Sequence, residues 1–157
     1  MNRVIKAQLV IAVLVVLTCG LASAQNHALQ KTYLDTGYYE SGLSIPAKTW
    51  TAVGPVVDIV CPGTSGTCTI EAIHSIQVAG PGTAGNTVQI DFMLDGKNQV
   101  LAQQVGEVPT DGSLRVFSAI EVESNISPGN HTVQTSVWSV DGADVYNYET
   151  SYQVYKP

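Results

Sequence analysis

Residues Thr87–Leu94 read TVQIDFML and decide the class of fold. Every second residue is apolar, and the residues between them are polar except Met93. Because successive side chains of a β-strand point to opposite faces, this pattern predicts a strand with one buried face. Asp95-Gly96 follows directly, and this pair favours a two-residue hairpin turn. The apolar side of the predicted strand consists of Val88, Ile90, Phe92 and Leu94.

Short alternating segments separated by Gly, Pro, Asn and Asp continue along the chain, and no helical periodicity is present after the N-terminal segment. Two more Asp-Gly pairs, at 111–112 and 141–142, mark turns. Seven or eight strands at this spacing predict an all-β fold, a single antiparallel β-sandwich of Ig-like or jelly-roll type. The other predicted strands are Trp50–Val53, Val56–Cys61, Cys68–Val78, Gln99–Val105, Leu114–Glu123, His131–Val140 and Ala143–Tyr155.

The first 24 residues have the features of a secretory signal peptide. Arg3 and Lys6 precede an apolar run, and Ala22-Ser23-Ala24 supplies small residues for cleavage after Ala24. We therefore expect a secreted, extracellular protein. The alternative is lipoprotein processing at Cys19, although Thr18 departs from the residue that such a motif prefers.

Residues 25–157 form a mature chain of one ordinary domain, with a β-sandwich over 48–157. Residues 25–47 have the weakest pattern and are expected to form an edge strand or a strand donated to a neighbour. Without Arg3 and Lys6, five basic residues face thirteen acidic ones, a net charge of −8. Such a charge repels nucleic acid and anionic membranes. No transmembrane segment is expected in the mature chain.

Cys61 and Cys68 are the two cysteines of the expected mature chain. An oxidising compartment and an even number of cysteines favour a disulfide. Turn residues separate the pair and both flanks read as strands, so we expect the bridge to close the mouth of a hairpin loop. A redox site is the alternative, but the spacing differs from the C-x-x-C that tunes a thiol pKa.

The Asp141-Gly142 turn predicts a hairpin in which the numbers of opposing residues sum to 283. Strand alternation then places the paired residues on one apolar, aromatic face, which we interpret as the core side. His131 is expected at the margin of this core, hydrogen-bonded to its surroundings. The predicted pairs are Val137 with Tyr146, Thr135 with Tyr148, Val133 with Thr150, and His131 with Tyr152.

The other face of this predicted hairpin contains the candidate ligand-binding residues. They are Trp138, Gln134, Ser136, Asn147 and Glu149. An aromatic ring can stack on the C–H face of a sugar while amides, hydroxyls and a carboxylate bind its hydroxyl groups. The alternative is an ordinary solvated sheet face with its tryptophan covered by a loop.

No motif indicates catalysis, a metal or a cofactor. His27, His74 and His131 lack the spacing of a zinc site, and His74 is interpreted as an ordinary strand residue. Asp141 and Asp144 are too few to hold calcium. We expect a protein that is not an enzyme. A small glycoside hydrolase is the alternative, since thirteen acidic residues allow many carboxylate pairs.

The segment ISPGNHTVQTSVW, Ile126–Trp138, resembles a strand near the C-terminus of many secreted jelly-roll and Ig-like modules, in which a Pro-Gly turn leads into His-Thr-Val. The resemblance implies a non-catalytic binding module, carbohydrate-binding or adhesive at the cell surface. The alternative it leaves open is a structural subunit of an extracellular fibre or surface layer, assembled by donating residues 25–47 to a neighbour's sheet. Chaperone–usher pilins are similar in size, but their disulfide spans a much longer stretch.

Overall fold

The computed structural model describes residues 28–98 and 103–156, and it confirms the predicted all-β sandwich. Nine strands form two packed antiparallel sheets in this part of the chain. The strands are β1 (Ala28–Ile45), β2 (Thr51–Cys61), β3 (Cys68–Ala79), β4 (Thr87–Leu94), β5 (Lys97–Asn98), β6 (Gln103–Glu107), β7 (Arg115–Ile126), β8 (Gly129–Ser139) and β9 (Ala143–Lys156).

The strand order is that of a jelly roll. The first sheet runs β1-β9-β3-β7; the second runs β2-β8-β4, with β5 and β6 both paired to the outer edge of β4. Most consecutive strands therefore lie in opposite sheets, unlike the hairpin-rich Ig arrangement. The described strands number nine, where the sequence predicted seven or eight. The predicted strands Trp50–Val53 and Val56–Cys61 merge into β2, while β5 and β1, the latter from the segment expected at an edge, add two.

The core fills the space between the sheets. Val88, Ile90 and Phe92 of the TVQIDFML strand are at most 1% exposed, as the alternation predicts. Tyr152 of β9 is fully buried opposite them and meets the Phe92 ring edge-on, with 6.4 Å between centroids. Each such side chain stabilises the fold by roughly 1.5–3 kcal/mol relative to exposure.

The predicted hairpin at Asp141-Gly142 is wrong. β8 pairs with β2 and β4, whereas β9 pairs with β1 and β3, so the chain crosses between sheets at this turn. The inward orientation holds for most of these residues nevertheless, because alternation within each strand does not depend on its partner. Tyr146 is the exception: a register shift between β3 and β9 puts Val145 in the core and leaves Tyr146 half-buried, so its predicted inward position is wrong. Asp95-Gly96 does form a hairpin turn, between β4 and β5, and both residues have positive φ. The residues predicted inside and found buried are Val133, Thr135, Val137, Tyr148, Thr150 and Tyr152.

The predicted disulfide between Cys61 and Cys68 is present, with 5.8 Å between the Cα atoms. It does not close a hairpin, because β2 and β3 belong to different sheets. The bridge therefore ties the two sheets together at one end of the sandwich. Lys156 Nζ supports the intervening loop by donating to the carbonyl oxygens of Pro62 (2.8 Å) and Ser65 (3.1 Å).

Replacing both cysteines with serine is expected to lower the free energy of unfolding by about 2–3 kcal/mol, since the bridge closes a short loop in the unfolded chain. Urea unfolding of the double variant and of the oxidised parent measures the difference. A Thr64→Ser variant in the same exposed loop serves as the control and should unfold like the parent. Equal stability of the double variant and the parent would contradict the expectation.

Candidate functional site

The five predicted ligand-binding residues do not form one surface. Gln134, Ser136 and Trp138 lie on the outer face of the second sheet, while Asn147 and Glu149 lie on the outer face of the first. The error follows from the hairpin: once β8 and β9 belong to different sheets, their outward side chains point to opposite sides of the sandwich.

The predicted residues on the second sheet are engaged in the fold. Ser136 is fully buried, with its hydroxyl 3.2 Å from Asn98 Oδ1. Gln134 Nε2 donates to the carbonyl oxygen of Gly54 at 2.7 Å. Trp138 is half-buried, and extending the Thr51–Val137 register by one residue places Trp50, also half-buried, opposite it. This face therefore lacks the open polar platform that the sequence predicted.

The outer face of the first sheet contains a shallow groove of about 540 Å³, which we call the Tyr38 groove. It crosses all four strands of the sheet near one end. Asn147 and Glu149, two of the predicted residues, lie in it. Its lining consists of Thr36, Gly37, Tyr38, Ser75, Gln77, Val116, Asn147, Tyr148 and Glu149.

The Tyr38 groove combines an exposed aromatic ring with several polar groups. Tyr38 is 66% exposed and pairs in register with Asn147, whose Nδ2 donates to Gln77 Oε1 at 2.5 Å. This bond holds both amides side by side on the sheet. The exposed Glu149 carboxylate follows one step along the same face. An aromatic surface with a few convergent polar groups is typical of a small-molecule site.

Gly37 and Tyr148 form the floor of the groove, where the buried Tyr148 ring occupies the space that a Cβ on Gly37 would need. Tyr148 OH donates to Asp35 Oδ1 at 3.3 Å. Burial raises the pKa of the Asp35 carboxyl above its usual value. Burial, together with the Asp35 charge, also raises the pKa of Tyr148 to about 12, so this tyrosine remains a hydrogen-bond donor at physiological pH.

His74 lies in the core behind this face. Its Nδ1 is 3.0 Å from Thr150 Oγ1, and its Nε2 is 3.9 Å from Glu121 Oε2. Thr135 Oγ1 extends the network to Thr150 and to the Tyr152 hydroxyl, both at 2.8 Å. Burial lowers the pKa of His74 to about 4. The His74 side chain is 1% exposed, so we interpret it as a structural residue of the core.

His131 is held in the opposite way. Its Nδ1 is 2.8 Å from Asp95 Oδ2 and its Nε2 is 2.9 Å from the carbonyl oxygen of Ser127. Both partners only accept, so the protonated ring satisfies both and the neutral ring only one. The hydrogen bond that the His131 ring donates to the Asp95 carboxylate accordingly raises the pKa of His131. The interaction joins the β4–β5 turn to the β7–β8 connection.

We expect the two histidines to titrate on opposite sides of the ordinary histidine pKa of about 6.5. His131 should stay protonated to a pH above that value, because its hydrogen bond to Asp95 favours the charged ring. His74 should become protonated only near pH 4, because burial disfavours the charged ring. The imidazole Hε1 shifts in an NMR pH titration measure both, and His131→Asn and His27→Asn variants assign the signals of the three histidines. Two curves that coincide near the unperturbed value would contradict this environment for the histidines.

Stability should depend on pH through both groups. The folded pKa of His131 is raised, so its stabilisation is complete below about pH 6.5 and is lost as pH rises through the folded pKa. The folded pKa of His74 is lowered, so its contribution is lost as pH falls from about 6.5 toward 4. Urea midpoints of the parent and His131→Asn should therefore converge at alkaline pH; a constant difference would contradict the first effect.

Within residues 28–98 and 103–156, no three His, Cys, Asp or Glu side chains are grouped to hold a metal ion. In the same ranges, no helix is long and apolar enough to cross a membrane.

No protein family and no curated protein sequence matches this chain. Among solved structures, 83% of the chain aligns with 14% of dimeric latent PorU from Porphyromonas gingivalis (TM-score 0.44, 14% identity). The same share aligns with all of FLHE (TM-score 0.42, 14% identity), and 82% aligns with 35% of the chain in infectious bursal virus derived T=1 particles (TM-score 0.45, 9% identity). At this similarity these structures assign neither a family nor a function.

Proposed function

We propose that this protein is a secreted, non-catalytic carbohydrate-binding module and that the Tyr38 groove is its sugar site. The main observation that supports this proposal is the exposed Tyr38 ring beside the hydrogen-bonded Asn147–Gln77 amide pair. Such a ring offers an apolar surface to the C–H face of a sugar. The amides and the Glu149 carboxylate offer partners to the sugar hydroxyls.

The groove supports binding better than hydrolysis. Glycoside hydrolysis generally requires two carboxyl groups that flank the scissile bond. Among the described residues that line the Tyr38 groove, Glu149 is the sole carboxylate. Asp35 lies beneath the floor, 7% exposed and bonded to Tyr148.

Replacing Tyr38 with alanine is expected to weaken binding about 2- to 10-fold, because ring stacking contributes about 0.5–1.5 kcal/mol. A glycan array on residues 25–157 selects the ligand, and calorimetry measures affinity. Tyr38→Phe should retain binding, since the ring remains. Leu34→Ala is the matched control: this residue is 64% exposed on the outer face of the same strand, outside the groove.

Trp138→Ala distinguishes the two faces of the sandwich. Our proposal expects its affinity to equal that of the parent, because Trp138 lies on the second sheet. If folded Trp138→Ala loses binding while Tyr38→Ala binds fully, the sugar site is not the Tyr38 groove and lies instead on the second sheet, around Trp138.

A structural subunit assembled by strand exchange is a second candidate. β1 is an edge strand whose one backbone partner among the described strands is β9. Its Tyr33 and Tyr39 hydroxyls accept hydrogen bonds from backbone N–H groups of β2. The β1 strand of a second copy could make the same contacts with β9 and β2, which is the condition for exchanging this strand between copies. A Leu34→Cys/Ser151→Cys pair, which faces across β1 and β9, traps either arrangement. Covalent ladders on a non-reducing gel would support exchange; cross-linked monomers alone would contradict it.

A further inference from the structure

Two further depressions continue the Tyr38 groove along the outer face of the first sheet. The middle one is about 500 Å³ and the last about 410 Å³. Together the three follow β3 from Gln77 to Thr69, and we call them the β3 cleft. Eight residue steps along a strand span about 27 Å, which suits an extended chain rather than a single sugar. The added outward-facing lining consists of Ile73, Ser118 and Ile120 in the middle, and Thr69, Glu71, Val122, Ser124 and Tyr155 at the far end.

The two walls of the β3 cleft differ in chemistry. On β7, the wall is mainly apolar: Val116, Ile120 and Val122 are 59%, 54% and 48% exposed. Ser118 lies between Val116 and Ile120, and Ser124 follows Val122 on the same face. On β9, the outward residues are polar, from Asn147 and Glu149 to Gln153. A row of exposed apolar side chains on a soluble protein is unfavourable unless it binds something. A polysaccharide has apolar ring faces and hydroxyl-bearing edges. The faces can pack against the apolar β7 side of the cleft while the hydroxyl groups bind the polar β9 side.

The charged side chains of the cleft indicate the charge of the polysaccharide that it can bind. Among its described lining residues, Glu149 and Glu71 are the charged side chains, and neither lysine nor arginine is present. Glu149 pairs with Ser75, four residues from Glu71 on β3, so the carboxylates lie about 13 Å apart along the strand. Two carboxylates in an acidic protein repel an anionic polymer and attract a cationic one.

We propose that the β3 cleft binds a linear polysaccharide with protonated amino groups, placed so that two of its amines approach Glu149 and Glu71. This inference rests on the proposed function, because the Tyr38 groove is one end of the cleft. The amines form ion pairs with the carboxylates, and the apolar faces of the sugar rings lie on the β7 wall.

Calorimetry with glucosamine oligomers of increasing length, at mildly acidic pH, tests the cleft. We expect affinity to rise with length until the cleft is filled, and to fall with added salt because the ion pairs are exposed. Glu71→Gln should weaken the long oligomers about 3- to 5-fold and leave the shortest unchanged. Asp58→Asn is the matched control, since it removes one exposed charge from the second sheet.

The outcomes separate this inference from the proposed function. Tyr38-dependent binding of short sugars, with no gain in affinity for longer ones, would overturn the cleft and leave the Tyr38 groove standing. N-acetylated oligomers that bind as tightly as glucosamine oligomers would overturn the selection for amines. Binding that is unaffected by Tyr38→Ala would remove the sugar site and the cleft together.

Discussion

Replacing Asn86 with alanine is expected to lower the free energy of unfolding by about 3–4 kcal/mol. Asn86 is fully buried between the sheets, where its Nδ2 donates to the carbonyl oxygen of Gly142 at 2.7 Å. Its Oδ1 accepts from Ser139 Oγ at 2.7 Å and from the backbone N–H of Asp141 at 3.0 Å. Alanine removes these three bonds, worth about 0.5–1.5 kcal/mol each, and leaves the Asp141 N–H without this partner. Ser139 Oγ and the Gly142 carbonyl oxygen keep the 3.0 Å bond between them.

Urea unfolding measures the loss, and Asn130→Ala is its control. Asn130 is an exposed asparagine on β8, so its replacement should change stability by no more than about 0.5 kcal/mol. If Asn86→Ala also stays within that range, the connection between β8 and β9 is held by other contacts and our description of it is wrong.

Replacing Gly37 with alanine has the second largest expected effect, a loss of about 2–4 kcal/mol. A Cβ at this position would stand 2.6 Å from both Cζ and the hydroxyl oxygen of Tyr148. The tyrosine would have to move, which strains the core and weakens its bond to Asp35. Because Tyr148 also lines the Tyr38 groove, sugar affinity should fall together with the melting temperature.

A double-mutant cycle tests the cause of the Gly37→Ala effect. If the clash with Tyr148 is responsible, Gly37→Ala should cost little in a Tyr148→Ala background, because the ring is absent. Equal losses in both backgrounds would show that the glycine is required for some other reason.

Local pattern was enough to predict most of the strands and most of their inward faces. Thr87–Leu94 has the predicted bounds, and its Val88, Ile90 and Phe92 are buried. Strand pairing could not be predicted in the same way. Asp141-Gly142 has the composition of a hairpin turn, but here it connects strands of different sheets. Buried Asn86, which directly precedes β4, holds this connection through hydrogen bonds to Asp141 and Gly142. That contact joins residues more than fifty positions apart, so a local rule cannot detect it.

The candidate site was predicted in part for the same reason. Asn147 and Glu149 lie in the Tyr38 groove, but their expected partner Trp138 lies on the opposite side of the sandwich. Tyr38 was missed because the register of β1 shifts between Tyr38 and Leu43, which interrupts the alternation that identifies a strand. The usable signal was Thr36 and Tyr38, two alternate outward residues in a segment that was otherwise difficult to interpret.

The most direct test of the central claim is an NMR titration of ¹⁵N-labelled residues 25–157 with the sugar selected by the array. Binding in the Tyr38 groove should shift the backbone amides of Tyr38, Asn147 and Glu149 and leave the indole N–H signals of Trp50 and Trp138 in place. Shifts confined to the two indoles and to their neighbours on the second sheet would contradict the site proposed here.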